Sequence, residues 1–586
     1  LRYGLALVCL LLLPSLSPAQ TAPPLFETRA VWFATVLGDG GWPASTIDTP
    51  DRQAEDLRDR IADAGSRGMN TFVFQAVARG DAMYPSERLP WSARLRGPGL
   101  DPGYDPLAVA IEEAHARGME LHVWINVFRV GDTTTEGLFA GVTDPPHVLT
   151  AHPEWVQTVD GNPWIDPSSP EARAWLVDNV LEIVEHYDLD AVHFDFIRYP
   201  SGGLPNDGVN FQFDDRGFED IDDWRRDNVT QFVRDVYARI LDAKPWVKVG
   251  SAPIGNYENF PGAWPALWAF SDVFQESRRW LAEGIHDYLA PQLYFTLGRT
   301  PEPGNSFDSP DFAFLARDWV DHAGGRPVFT GIGAFKDNVR PEILAQIDTS
   351  RAAGAQGQVY FRFDDLLALD FGDRYEHPAL PAPMTHRFEA AAPSPPVLAE
   401  IGPSFRLDWA PSTGAATDPV RAYVVFSRSG EPPELRPEDL IDVVDAATTS
   451  WSGIIYDTSP QPPDYYRVAA VSRLGILSEP SEAVNTSALV VSAEDETTPG
   501  PIRLERPYPN PASSFVNVAF VMDRAAPVRW TVTDLLGRRV LAREAGFLSA
   551  GAHRDRLDLG GLASGVYLLT LEADGRRVSR RVVIAR

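Results

Sequence analysis

Between residues 27 and 370 the chain repeats one pattern eight times: a short apolar, β-branched run followed, in most repeats, by a stretch with helical periodicity. Strands that are apolar on both faces and alternate with helices pack as a parallel sheet with the helices outside it, open or closed. The strand-like runs are Thr28–Val36, Thr71–Val77, Glu120–Val127, Ala191–Ile197, Val247–Pro253, Tyr288–Phe295, Pro327–Ala334 and Gln358–Phe363. Helical patterns lie between them, at Asp51–Arg67, Pro106–Arg117, Pro170–Tyr187, Ile221–Ala243 and Pro341–Ala353. An open dinucleotide-binding sheet would need a Gly-rich turn after its first strand; the chain has ATVLGDGGWPAS there instead. Eight units predict an α/β fold, a (β/α)8 TIM barrel over residues 26–370.

The character changes after residue 378. HPALPAPM and AAAPSPPVLAE read as a semi-rigid Pro- and Ala-rich linker. Residues 393–490 then alternate short strands with turn signals and hold no cysteine pair, which predicts a β-sandwich without a disulfide. A second, acidic linker over 489–502 leads to 503–586, a second small β-sandwich in which Asn510-Pro511 starts a turn. At the other end, residues 1–19 read as a signal peptide: Arg2, the apolar run Leu5–Leu13, and a small-residue cleavage site at Ser17-Pro-Ala19. Cys9, the one cysteine, lies inside that segment, so the mature chain is expected to lack disulfides and thiolate chemistry. The net charge of −29 argues against nucleic acid or an anionic membrane as partner. No later apolar run approaches the roughly 20 residues of a spanning helix.

In a βα barrel, chemistry sits at the C-terminal ends of the strands. Those ends carry Trp32; Arg79 and Asp81; Trp124, Asn126 and Arg129; His193, Asp195, Arg198 and Tyr199; Glu258; Gln292 and Tyr294; and Asp365. Aromatic rings that stack on sugar faces, beside planar polar groups that bind hydroxyls, predict a carbohydrate cleft. Asp195 stands out, because a carboxylate in an apolar strand is costly unless it is paired or used. Its bland reading is an ion pair with Arg198 that fixes a loop. Other carboxylates near the strand ends are Glu258, Asp81 and Asp365. The remaining rim residues are predicted to hold substrate. His122 and His193 could hold a metal, but no third ligand has suitable spacing, so both are read as core histidines and no metal or cofactor is expected. A serine-hydrolase elbow, Gly-x-Ser-x-Gly, is absent.

Several stretches carry resemblances. ETRAVWFATV, NTFVFQAVARGDAMYPS, DGNPWIDPSSPEAR, DAVHFDFIRYP, DYLAPQLYF and TGIGAFK, in that order, resemble the glycosyl-hydrolase-like family 10 group. The resemblance implies hydrolysis of glycosidic bonds, here of a polysaccharide or a peptidoglycan glycan strand, and with it two catalytic carboxyls: Asp195, as nucleophile or electrostatic stabiliser, and a second from Glu258, Asp81 or Asp365. Phe196 departs from it, because a second acidic residue is expected beside Asp195. A non-catalytic glycan-binding barrel and a substrate-assisted N-acetylhexosaminidase-type enzyme stay open as alternatives. The strand Tyr465–Ser472 and the turn from Gly475 to Ser481 resemble a fibronectin type III domain, expected to act as a spacer. YPNPASSFVNV, DLLGRRV and GLASGVYLLTL resemble the C-terminal sorting domain of type IX secretion, which implies export by that machinery to the cell surface or beyond.

Overall fold

The computed structural model describes residues 23–36, 41–259, 264, 266–298, 310–388, 390–402, 406–452, 465–485, 502–504, 507, 512, 515–534, 538–563, 565–574 and 576–584. The predicted signal peptide with Cys9, most of the acidic linker and the Asn510-Pro511 turn lie outside the described residues.

Eight parallel strands form one barrel: β1 (Thr28–Phe33), β2 (Thr71–Val77), β3 (Glu120–Asn126), β4 (Ala191–Asp195), β5 (Lys248–Ser251), β6 (Tyr288–Leu289), β7 (Phe329–Gly333) and β8 (Gly357–Phe361). They pair in chain order with β8 returning to β1, and bridges Leu289–Val328 and Gln292–Gly331 close the ring between β6 and β7. The outer layer is built mainly from α1 (Pro50–Ser66), α2 (Pro106–Ala116), α3 (Pro170–His186), α4 (Ile221–Ala243), α5 (Phe312–Asp321) and α6 (Ile343–Ala353). Thr49, Asp105 and Ser169 cap α1 to α3, each followed directly by proline, whose fixed φ and missing N–H suit a first turn. β6 is much shorter than the sequence predicts, because Pro291 has no N–H to give the ladder. β4 stops at Asp195, since Phe196 turns to φ 49°, a left-handed conformation rare for a bulky side chain.

Alternation sorts each strand's side chains. Ala30 and Trp32 of β1 point into the barrel with Val73, Ala191, Tyr288 and Phe329, while Val31 and Phe33 face the helices. Gly250 has no room for a side chain, because a Cβ there would sit 2.1 Å from the Tyr288 ring.

A single file of hydrogen bonds runs through the interior. The Trp32 indole N–H donates to Nε2 of His193 at 3.0 Å. Nδ1 of His193 meets the Tyr288 hydroxyl at 3.0 Å, which also meets Nδ1 of His122 at 2.9 Å. Nε2 of His122 meets Glu120 at 3.0 Å, and Lys248 donates to the other Glu120 oxygen at 2.5 Å. An indole can only donate, so Nε2 of His193 is an acceptor and its proton lies on Nδ1. Donation can then run one way, from Trp32 to Glu120, and satisfy every group. Burial, with His122 and His286 nearby, holds His193 well below the usual imidazole range.

At the bottom the barrel meets the first sandwich, with which it forms one compact unit over 1–485. Among the described residues, seven strands from Val397–Gly402 to Val484–Asn485 make antiparallel sheets of three and four. The connecting segment, predicted as a semi-rigid linker, is packed against the barrel in its first part. Leu380, Ala382 and Met384 are buried, and Met384 and Leu474 of the sandwich close the barrel floor. His386 and Arg387 bind Asp287 at 3.0 and 2.8 Å. Arg421 donates to the Gly118 carbonyl at 3.0 Å and lies 3.7 Å from Glu120, while Arg473 reaches Asp190 at 3.3 Å. The sandwich therefore supplies counterions to carboxylates buried under the barrel and is more than a spacer.

The second unit spans 486–586. Among its described residues, seven strands from Ile502–Leu504 to Arg576–Ile584 again make sheets of three and four around Val518, Phe520, Trp530, Leu569 and Leu571. No helix of the described residues is long and apolar enough to cross a membrane.

Candidate active site

The C-terminal ends of the barrel strands surround a cavity of about 270 Å³, at the lower edge of the ~300–1,000 Å³ typical of small-molecule sites. Nine residues nominated from the sequence line it: Trp32, Arg79, Trp124, Asn126, Arg129, Asp195, Arg198, Gln292 and Tyr294. They come from β1, β2, β3, β4 and the segment after β6, so closure of the barrel is what brings them together.

Asp195 is half-buried at the end of β4. Its Oδ1 accepts the Phe196 N–H at 2.7 Å and, weakly, the Gln292 amide at 3.5 Å. Oδ2 takes no hydrogen bond from a described residue. Burial pushes the carboxyl up to about 6, against the opposing pull of the Phe196 N–H, Arg198 and Arg129. Asp195 makes no ion pair with Arg198, so the loop-fixing reading does not hold. Burial likewise lowers Arg198 to about 10, despite Asp195.

The second carboxylate on the cavity wall is Asp132, which the sequence reading passed over. It follows β3 in Val130-Gly-Asp-Thr-Thr-Thr135, and Thr134 donates to its Oδ1 from both its N–H (2.8 Å) and its hydroxyl (2.6 Å). Arg79 lies 3.4 Å from Oδ2. Its partial burial would raise the carboxyl, but the Thr134 donors and Arg79 outweigh that and hold it below the usual range. The signal was an aspartate followed by three threonines just past a strand end, a turn that caps its own carboxylate. Gln75 and Phe361 also line the cavity and were missed because both read as ordinary strand interior.

Five nominated residues lie elsewhere. Asp81 is buried behind the rim, where its Oδ1 accepts the Arg79 N–H at 3.0 Å and holds that loop. Glu258 is solvent-exposed on the loop after β5 and lines no part of the cavity. His193 lies one layer below, under Trp32. Tyr199 is fully buried and accepts the Asn228 amide at 2.9 Å; its position just after Arg198 turns it away from the barrel axis. Asp365 is paired with Arg340 at 2.9 Å.

The aromatic wall is rigid. Tyr294 stacks on Phe361 at 5.6 Å, and Trp32 meets both edge-on at 6.4 and 6.1 Å. The Trp124 indole donates to Asn126, whose amide donates to the Ala78 carbonyl. Asn126 therefore orients Trp124 and keeps one amide N–H for a ligand.

Comparison with known proteins gives two matches to family profiles. Residues 27–308 match the profile described as glycosyl hydrolase-like 10, and residues 506–585 match the secretion system C-terminal sorting domain. Glycosyl hydrolase YngK of Bacillus subtilis is 34% identical over 404 residues, covering 64% of this chain and 77% of that protein. Glycosyl hydrolase DigH of Escherichia coli is 30% identical over 386 residues, covering 60% and 86%. Among solved structures, the alpha-L-fucosidase isoenzyme 2 from Paenibacillus thiaminolyticus aligns at TM-score 0.42 and 12% identity, covering 90% of this chain and 99% of that one.

Proposed function

We propose that this chain, which belongs to the glycosyl hydrolase-like 10 family, is an exported glycoside hydrolase that cleaves O-glycosidic bonds of a polysaccharide or a peptidoglycan glycan strand. The observation that carries the reading is the opposite tuning of the two carboxyls on the cavity wall. Environments that push a pair of carboxyls apart assign them acid and base roles. Asp195, raised to about 6 with Oδ2 open to the cavity, suits the general acid that protonates the leaving oxygen. Asp132, held ionised by Thr134 and Arg79, suits the base or nucleophile. Asp195 thus takes the donor's role rather than the nucleophile's. Trp32, Trp124 and Tyr294 would flank the sugar, and Gln292 would hold Asp195 and a hydroxyl together. The match to a sorting domain supports export by type IX secretion, to the cell surface or the medium.

The test uses the full chain and a panel of glycans that includes peptide-free peptidoglycan strands and α- and β-glucans. Hydrolysis by the wild type, lost in Asp195→Asn while glycan binding persists, is the expected result. Binding without turnover by the wild type on every glycan would make the barrel a glycan-binding module instead.

A further inference from the structure

The cavity inverts the charge of the molecule. The chain carries −29 overall, yet three arginines, Arg79, Arg129 and Arg198, line this wall against two carboxylates. Arg79 is spent on Asp132. Arg129 and Arg198 form no ion pair among the described residues. Arg129 donates to the Gly131 carbonyl at 3.3 Å and to Asn162 at 2.7 Å, and Arg198 donates only to the Tyr199 carbonyl at 3.3 Å.

Both guanidinium groups rest on the ring of Phe196, at 5.1 and 4.9 Å from its centre. Arg198 also lies 5.6 Å from the Trp164 ring, which meets Phe196 edge-on at 5.9 Å. Two like charges against one ring repel each other, and each has lost water. The ring returns about 0.5–2 kcal/mol per contact, but it cannot neutralise either charge. Asp195 attracts both but pairs with neither. Phe196 pays for this placement with a strained φ of 49°, and bulky residues hold such backbone where the surroundings demand it. The residue type matters as well: an acidic side chain at 196 would lie against both arginines and compete for their donors, whereas a phenyl ring braces them and takes none of their N–H groups.

We propose that Arg129 and Arg198, braced on Phe196, form a subsite for an acidic substituent of the glycan, a sugar carboxylate or sulfate ester. A planar guanidinium matches either group through two parallel N–H···O bonds, a geometry that a sugar hydroxyl cannot fill. The inference rests on the hydrolase reading for its location, but it concerns binding and is tested apart from turnover.

Calorimetry on the full chain compares a hexuronate oligosaccharide with its carboxyl-reduced counterpart, and a sulfated oligosaccharide with its desulfated one. The expected result is binding about tenfold or more tighter for at least one acidic member of a pair, and the pair that shows it identifies the anion. That preference should shrink as salt rises from about 0.05 to 0.5 M. Arg198→Gln and Arg129→Gln should each lower the ratio of acidic to neutral affinity, and Arg198→Lys should keep part of it. Because the wild-type comparison stands alone, a variant that fails to fold does not remove the test. Equal affinity within both pairs, or no binding of any member, would overturn the subsite. Acidic glycans bound but never cleaved would keep the subsite and overturn the hydrolase. Neutral glycans cleaved with no acidic preference would do the reverse.

Discussion

Removing one hydroxyl from the barrel axis should be unusually costly. Tyr288 sits between two histidines, with its hydroxyl 3.0 Å from Nδ1 of His193 and 2.9 Å from Nδ1 of His122. In Tyr288→Phe, the His193 N–H loses its acceptor and the His122 nitrogen loses its donor, both in a fully enclosed interior. A buried polar group left unpaired costs about 1–3 kcal/mol, so the two together should cost about 2–6 kcal/mol. With a urea dependence of about 3 kcal/mol/M, the unfolding midpoint of the barrel and sandwich unit should fall by about 0.7–2 M. Tyr237→Phe is the control: its hydroxyl donates to Asp287 at 3.0 Å, and Asp287 keeps His386 and Arg387. That loss should stay near one hydrogen bond to a charged group, about 1.5–3 kcal/mol. Urea unfolding of the full chain, followed by tryptophan fluorescence, separates the two. If Tyr288→Phe costs no more than Tyr237→Phe, the axial file of hydrogen bonds is not what holds the floor of the site.

Two further outcomes are expected. A chain cut at residue 378 loses His386, Arg387, Arg421 and Arg473, which pair with buried Asp287, Glu120 and Asp190. Glu120 keeps Lys248 and Asp190 keeps His115, but Asp287 loses both of its close cations, a loss of about 3–5 kcal/mol against a net stability of about 5–15; the shortened chain should therefore unfold at lower urea than one cut at 485, and equal midpoints would refute this. Asp132→Asn should lower turnover about 10²–10⁴-fold as the loss of the base while leaving glycan binding in place, and unchanged turnover in a kinetic assay would remove Asp132 from the mechanism.

The barrel was legible because strand periodicity and proline punctuation are local signals: seven of the eight strands lie within a few residues of their sequence ranges. The bottom of the barrel was not. The segment from His377 to Arg387 has a linker's composition, and only the arrival of Leu474 and Arg473, nearly a hundred residues later, shows it to be packed structure. The site followed the same division. Asp195, Arg198 and Gln292 could be nominated because strand ends in a barrel converge. Glu258 and Asp81 could not be excluded, since the direction of a loop side chain depends on neighbours distant in sequence. Asp132 was missed because a self-capped turn aspartate reads as structural. Only its place beside Arg79, opposite a carboxyl tuned the other way, gives it a chemical reading.

The central claim is that Asp195 works as a proton donor, and the pH dependence of kcat/KM tests it most directly. A carboxyl held near 6 when folded is protonated below that value and ionised above it. The same shift makes the fold lose stability as pH rises from the ordinary aspartate value of about 3.9 toward 6. With Asp132 ionised throughout, the account predicts that kcat/KM holds up to about pH 6 and falls tenfold per unit above it. Asp195→Asn should show no such limb and little activity. Activity that rises through pH 6 to a neutral plateau, or a limb that survives in Asp195→Asn, would contradict the account.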